Sequence, residues 1–108
     1  MVAKGAGVAN KNITMPRSKV SAFCRRNHIT KLSLFGSVLR PDFRAESDVD
    51  VLVEFVPGHV PGLIRLAGME IELSSILGRN VDLRTPEDLS RYFRQDVLDK
   101  AKVEYAKR

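Results

Sequence analysis

Apolar residues recur along this chain with two different periods. Val20, Phe23 and Cys24 fall at i, i+3 and i+4, which predicts a helix with one buried stripe. Thr14 and Pro16 stand where such a helix would start, because proline is tolerated in a first turn. Arg17, Arg25 and Arg26 would then lie on its exposed side. "KLSLFGS" alternates and ends at Gly36, the pattern of a short strand followed by a turn. "VDVLVEF", residues 49 to 55, is nearly continuous in β-branched and aromatic residues and predicts a strand buried on both faces. Two prolines and two glycines in "PGHVPG", residues 57 to 62, break the chain. A helix is predicted beyond them, with Leu63, Leu66, Met69, Leu73, Ile76 and Leu77 in its stripe and Gly78 at its C-terminal end. "NVDLRT" reads as a short strand. Pro86-Glu87-Asp88 opens a further helical segment. From about Arg94 a last helix carries Val97, Ala101 and Tyr105 at four-residue spacing.

With a turn or two of helix around 38 to 43, the expected order is α-β-α-β-α-β-α-α. That is a small α/β (α+β) domain: a mixed β-sheet of three or four strands with helices packed on it. Residues 1–13 are small, polar and glycine-containing and are expected to form a flexible tail, leaving 14–108 as one domain. At 108 residues the chain can bury about two-thirds of its unfolded surface, enough for one core but not for an elaborate cavity as well. No apolar run approaches a membrane span, and the N-terminus lacks the apolar segment of a secretory signal. The single cysteine, Cys24, excludes an internal disulfide framework and suits a small core residue. A cytoplasmic protein is expected.

The net charge of +5 is unevenly spread. Residues 1–31 hold seven basic residues and no acid, residues 32–90 five basic and ten acidic, and residues 91–108 six basic and three acidic. Basic ends around an acidic middle suit a negatively charged partner meeting a cation-holding site. A solvated basic helix and tail would give the same distribution, so charge alone does not establish nucleic-acid binding.

Chemistry concentrates in "LFGSVLRPDFRAESDVDVLVEF". Asp48 and Asp50, two apart on a strand, project to the same face while Val49 and Val51 point into apolar packing. Two uncompensated carboxylates this close repel each other, and no Lys or Arg lies nearby on that strand. A hard divalent cation, Mg²⁺ or Mn²⁺, fits their oxygens. Asp82, flanked by Val81 and Leu83, supplies a third carboxylate if its strand lies alongside. Three acids on one face can hold two metal ions for in-line attack on phosphorus, with Asp82 as the candidate general base. Gly36-Ser37, after a strand and at a helix start, directs backbone N–H groups and a hydroxyl at an anion. Arg40, one turn on, can neutralise charge there.

These residues, Gly36, Ser37, Arg40, Ser47, Asp48, Asp50 and Asp82, resemble the motif of the minimal nucleotidyltransferases (MNT) of the DNA polymerase β-like superfamily. The likeness extends from about Val20 through the "LSRYFRQDVLDKAKVEY" tail. It implies a nucleotidyltransferase fold and Mg²⁺-dependent transfer of AMP from ATP. In this reading Asp48, Asp50 and Asp82 are catalytic and metal-binding, while Gly36, Ser37, Arg40 and Ser47 bind nucleotide phosphate. Members of this size resemble MntA-type antitoxins encoded beside a HEPN-type ribonuclease toxin, which implies adenylylation of a toxin tyrosine within a hetero-oligomer. Two alternatives stand beside it: a non-catalytic antitoxin that neutralises by binding, and transfer to a small molecule or RNA with a separate subunit. Leu39-Arg40-Pro41 replaces a frequent Ala-Arg-Gly, and Pro41 restricts Arg40 to extended conformations, so the helix after Gly36-Ser37 should be very short. Among the remaining residues, His28 suits a helix end, and His59 lies in the Pro-Gly loop, where a substrate contact is the lesser reading beside a plain loop residue. Glu46 and Glu54 read as solvated. Arg84 could reach a triphosphate or pair with a nearby acid.

Overall fold

The structure is a computed structural model that describes residues 6–10 and 12–107. Of the 1–13 stretch expected as a flexible tail, residues 1–5 and 11 lie outside the described residues. Within it, β1 (Ala6–Asn10) pairs antiparallel with β2 (Ile13–Pro16). In β2, Ile13 and Met15 are buried and Thr14 between them is exposed, a period of two. The helix α1 (Arg17–Arg26) therefore begins after Thr14 and Pro16, not at them; Pro16 is its N-cap, with an extended backbone. The predicted stripe of Val20, Phe23 and Cys24 is fully buried.

The main sheet has four strands: β3 (Ile29–Phe35), β4 (Val49–Phe55), β5 (Val81–Arg84) and β6 (Lys102–Ala106), in the order β5-β4-β3-β6. The β4–β5 pair is parallel and the other two pairs are antiparallel. A parallel neighbour needs a crossover, and α2 (Leu63–Leu77) provides it, ending at Gly78 with φ +68°. Register divides the sheet into two faces. Leu32, Leu34, Val49, Val51, Val53, Val81 and Leu83 join Phe23, Met69 and Leu73 in the core. The opposite face carries Phe35, Asp50, Asp82 and Arg84.

The C-terminus departs from expectation. The last helix, α3 (Arg94–Lys100), stops at Ala101, whose φ −63° and ψ 141° are extended, and the chain runs on as β6. Tyr105 pairs with Leu32 and packs against the core from a strand. The four-residue spacing of Val97, Ala101 and Tyr105 is equally compatible with helix plus strand, and the unpaired edge of β3 decided between them. Likewise Pro86–Asp88 forms only a single 3-10 turn, closed by Asp88 Oδ2 accepting the Thr85 N–H at 3.0 Å.

β6 carries a buried charge. The Glu104 side chain is 1% exposed, with Arg17 Nη1 3.0 Å from its Oε1 and Lys102 Nζ 3.6 Å from its Oε2. Neither carboxylate oxygen has an aligned hydrogen-bond donor, but Arg17 Nη1 also donates to the Glu104 carbonyl at 3.1 Å. Arg17 thus ties the start of α1 to the edge strand. We expect Arg17→Ala to destabilise the fold by about 1–3 kcal/mol, because a buried carboxylate loses its main counter-charge. Urea unfolding of Arg17→Ala in wild-type and Glu104→Gln backgrounds measures it: the loss should shrink when the carboxylate is replaced.

Candidate active site

Three strands deliver the site. Phe35, the last residue of β3, pairs with Asp50 of β4, and Asp50 pairs in parallel register with Asp82 of β5. The chain leaves β3 at Gly36, φ +74°, and a Cβ built there would fall on Asp50 Oδ2 and lie 3.3 Å from its Cγ. Glycine is therefore needed so that the turn can close over Asp50, and the Ser37 backbone N–H can reach that carboxylate. The helical turn that follows, Gly36–Leu39, is a single 3-10 turn, and Arg40 behind it is extended at φ −100°, ψ 152°, as Pro41 requires.

Asp50 is half-buried, and burial pushes its carboxyl above the ordinary 3.8; the charges of Asp82 and Asp48 push the same way, against Arg84 and the Ser37 N–H. Asp82 is gripped by Arg84 from its own strand, Nε to Oδ1 at 3.1 Å and Nη2 to Oδ2 at 3.2 Å. Asp48 lies just ahead of β4, exposed, and accepts from Asn80 Nδ2 at 3.0 Å. Asp48 and Asp82 are each within electrostatic reach of Asp50. As placed, however, no three His, Cys, Asp or Glu side chains among the described residues converge closely enough to enclose an ion.

Two residues that the sequence reading passed over organise the approach to Asp48. Arg79 Nη2 donates to the carbonyls of Arg44, Ala45 and Ser47 at 3.0, 2.9 and 3.1 Å, and its guanidinium sits 4.7 Å from the centre of the Phe43 ring. Asn80 holds Asp48 through its side chain and accepts the Val49 N–H at 2.8 Å through its carbonyl. The signal was the Arg-Asn pair directly ahead of the Asp82 strand, but local pattern cannot say that it reaches back 35 residues. The Ser47 hydroxyl accepts the Arg44 N–H at 3.4 Å, inside the same loop.

Beside Gly36 opens a pocket of about 500 Å³ lined by Phe35, Gly36, Leu39, Arg40, Asp96, Val97 and Lys100. That volume falls within the range of small-ligand sites. Arg40 is paired with Asp42 at 3.3 Å, and Lys100 with Asp96 at 3.1 Å. His28 and His59 stack with ring centres 4.1 Å apart. They lie at the opposite end of β3 from Gly36, about 20 Å away along the strand, so neither belongs to this site. Glu54 pairs with Lys31 at 3.9 Å and Glu46 with Arg44 at 3.9 Å. Cys24 is a core residue whose thiol burial pushes up to about 12.

The nucleotidyltransferase domain family matches residues 17–104 of the chain. An inferred protein adenylyltransferase of Methanocaldococcus jannaschii is 30% identical over 90 residues, covering 83% of this chain and 95% of the relative. A toxin–antitoxin solved with AMP-PNP superposes with a TM-score of 0.69 at 23% identity, covering 87% of this chain and 76% of that one. A complex of a tri-AMPylated HEPN toxin of Shewanella oneidensis with its MNT antitoxin superposes with a TM-score of 0.60 at 24% identity, over 83% and 69%. At these identities the two structures establish a shared fold.

Two outcomes follow from the geometry. Gly36→Ala places a methyl against Asp50 at positive φ and should lower stability by about 1–2 kcal/mol, read from the denaturation midpoint. Asp50→Asn should instead stabilise the metal-free protein at pH 7. A carboxyl whose folded pKa is raised binds more protons folded than unfolded, so its stability contribution falls as pH climbs above 3.8. In EDTA the melting temperature of Asp50→Asn should exceed that of wild type at pH 7, with the gap closing towards pH 3.8. A constant gap would refute the assignment.

Proposed function

Because the chain belongs to the nucleotidyltransferase domain family, we propose that it transfers AMP from ATP to a hydroxyl, a tyrosine, of a partner HEPN-type toxin, and serves as that toxin's antitoxin in the cytoplasm. The observation that carries this reading is the register of β4 and β5, which sets Asp50 opposite Asp82 while the Gly36 turn closes on Asp50. The adenylyl donor is supported by the name of the M. jannaschii relative, and the acceptor by the AMPylated HEPN toxin held by an antitoxin of the same fold. No helix among the described residues is long and apolar enough to cross a membrane.

The roles divide as follows. Asp48, Asp50 and Asp82 supply hard carboxylate oxygens of the kind Mg²⁺ takes and would draw closer together to enclose it; the upward push on Asp50 by its two neighbours is the repulsion that a cation would relieve. When bound, such ions neutralise phosphate charge and lower the pKa of the acceptor hydroxyl. Gly36 and the Ser37 N–H act on the phosphates through Asp50, which the turn closes over and holds. Arg40 stands at the mouth of the 500 Å³ pocket, in which Leu39 and Val97 offer apolar walls for the nucleoside. Ser47 acts through the loop that carries Asp48. Asp82, freed from the exposed Arg84, accepts the tyrosine proton; the phenolic oxygen bonds to the α-phosphorus, the bond to the β-phosphate oxygen breaks, and pyrophosphate leaves. Arg84 is then available to the departing charge.

A second reading, neutralisation by binding alone, draws on the grip of Arg84 on Asp82, which occupies the proposed base. Incubation of the chain with radiolabelled ATP, Mg²⁺ and a lysate of its source cells separates the two, with Asp48→Asn/Asp50→Asn alongside. A labelled protein band with wild type, reduced by at least about a thousandfold in the double variant, is the expected result. No label in either, with both chains retaining a partner on affinity capture, would favour binding alone.

A further inference from the structure

The turn that follows Gly36-Ser37 is finished by a residue far from it in sequence. Within a 3-10 turn the carbonyl of residue i accepts the N–H of residue i+3. The Arg40 N–H does this for Ser37, at 2.9 Å. The next bond of the series would run from residue 41 to the Val38 carbonyl, but residue 41 is proline and has no N–H. At that carbonyl the Asn12 carboxamide donates instead, Nδ2 to Val38 O at 2.7 Å. The same nitrogen donates to the Arg40 carbonyl at 2.9 Å, and that carbonyl also accepts the Phe43 N–H at 3.3 Å. Asn12 lies in the turn between β1 and β2 and is followed directly by the buried Ile13, with Met15 fully buried two residues on. Its backbone is thus anchored to the core rather than to a free arm. It also stands ahead of residue 17, where the family match begins.

We propose that Asn12 is a positioning residue for the nucleotide pocket: its two amide hydrogens replace the donor that Pro41 lacks and hold Leu39 and Arg40 at the pocket wall. This rests on the reading of that pocket as the nucleotide site. The hairpin ahead of the matched region is then part of the working site, and Pro41 and Asn12 function as a pair.

Amide hydrogen exchange on the full chain, without nucleotide, tests the positioning directly. Asn12→Ala removes the donors. Asn12→Asp keeps the shape and turns them into acceptors. Both should speed exchange at Arg40 and Phe43 about tenfold, the worth of about one hydrogen bond, while the amides of β4 exchange as in wild type. Adding Pro41→Ala to Asn12→Ala restores a backbone donor and should recover most of the protection. AMP-PNP with Mg²⁺ should bind about threefold to tenfold more weakly to both single variants, with recovery in the double variant. Wild-type exchange in both single variants overturns the inference, as does acceleration spread evenly over β4, and so does unchanged AMP-PNP affinity. If wild type itself does not bind AMP-PNP, the nucleotide-site reading fails, and the exchange comparison alone still decides whether Asn12 holds the turn.

Discussion

Parallel pairing of β4 and β5 places the Asp50 and Asp82 carboxylates directly opposite each other on a face that the core does not cover. The Asp82 charge adds to the burial that raises the proton affinity of Asp50, and a fold that keeps both acids must supply positive charge or accept the repulsion. Here the supply is partial. Arg84 takes Asp82 in a two-pronged grip, and Asp50 is left with the Arg84 charge and one backbone N–H against burial and two neighbouring acids. Gly36 closes over that same carboxylate, so the turn after β3 and the identity of the residue in it are both consequences of where Asp50 sits.

Rigid elements on either side keep this unfavourable cluster in place. α2 makes the crossover that parallel pairing demands, and its core residues Met69 and Leu73 lock the reverse side of the strands. At the end of that crossover Arg79 secures the loop before β4 through its carbonyls and Asn80 holds the Asp48 carboxylate through a neutral carboxamide, so Asp48 is held by a group that carries no charge. The strain is local, and the apolar face of the sheet outweighs it.

Apolar side chains also remain uncovered. Leu63, Ile64 and Ile71 leave α2 with exposed apolar side chains at 85%, 92% and 72%, and Tyr92 before α3 is 85% exposed. The core of this small domain does not use them, and exposed apolar side chains of this kind suit the docking of a partner under the proposed function.

Much of the site was legible in the sequence because its chemistry is local. Gly36-Ser37 follows an alternating strand, and Asp50 and Asp82 sit between apolar neighbours; period-two geometry puts these two acids on the face away from the core, with Asp48 just ahead of β4. Pro41 likewise announced an extended Arg40 and a short turn, because a proline acts on its immediate neighbour. The α1 and α2 stripes and the β4 run followed from periodicity. What only the tertiary structure decided depends on long-range pairing: that β5 adds parallel to β4 so that Asp82 faces Asp50, that the C-terminal segment leaves its helix to cover the β3 edge, that residues 13–16 are a strand, that Asn12 braces the turn at Val38 and Arg40, and that Arg79 secures the loop before Asp48. Sequence spacing sets which face a side chain points to; which strand lies beside it is set by burial of the whole apolar face at once, and no window of neighbouring residues contains that information.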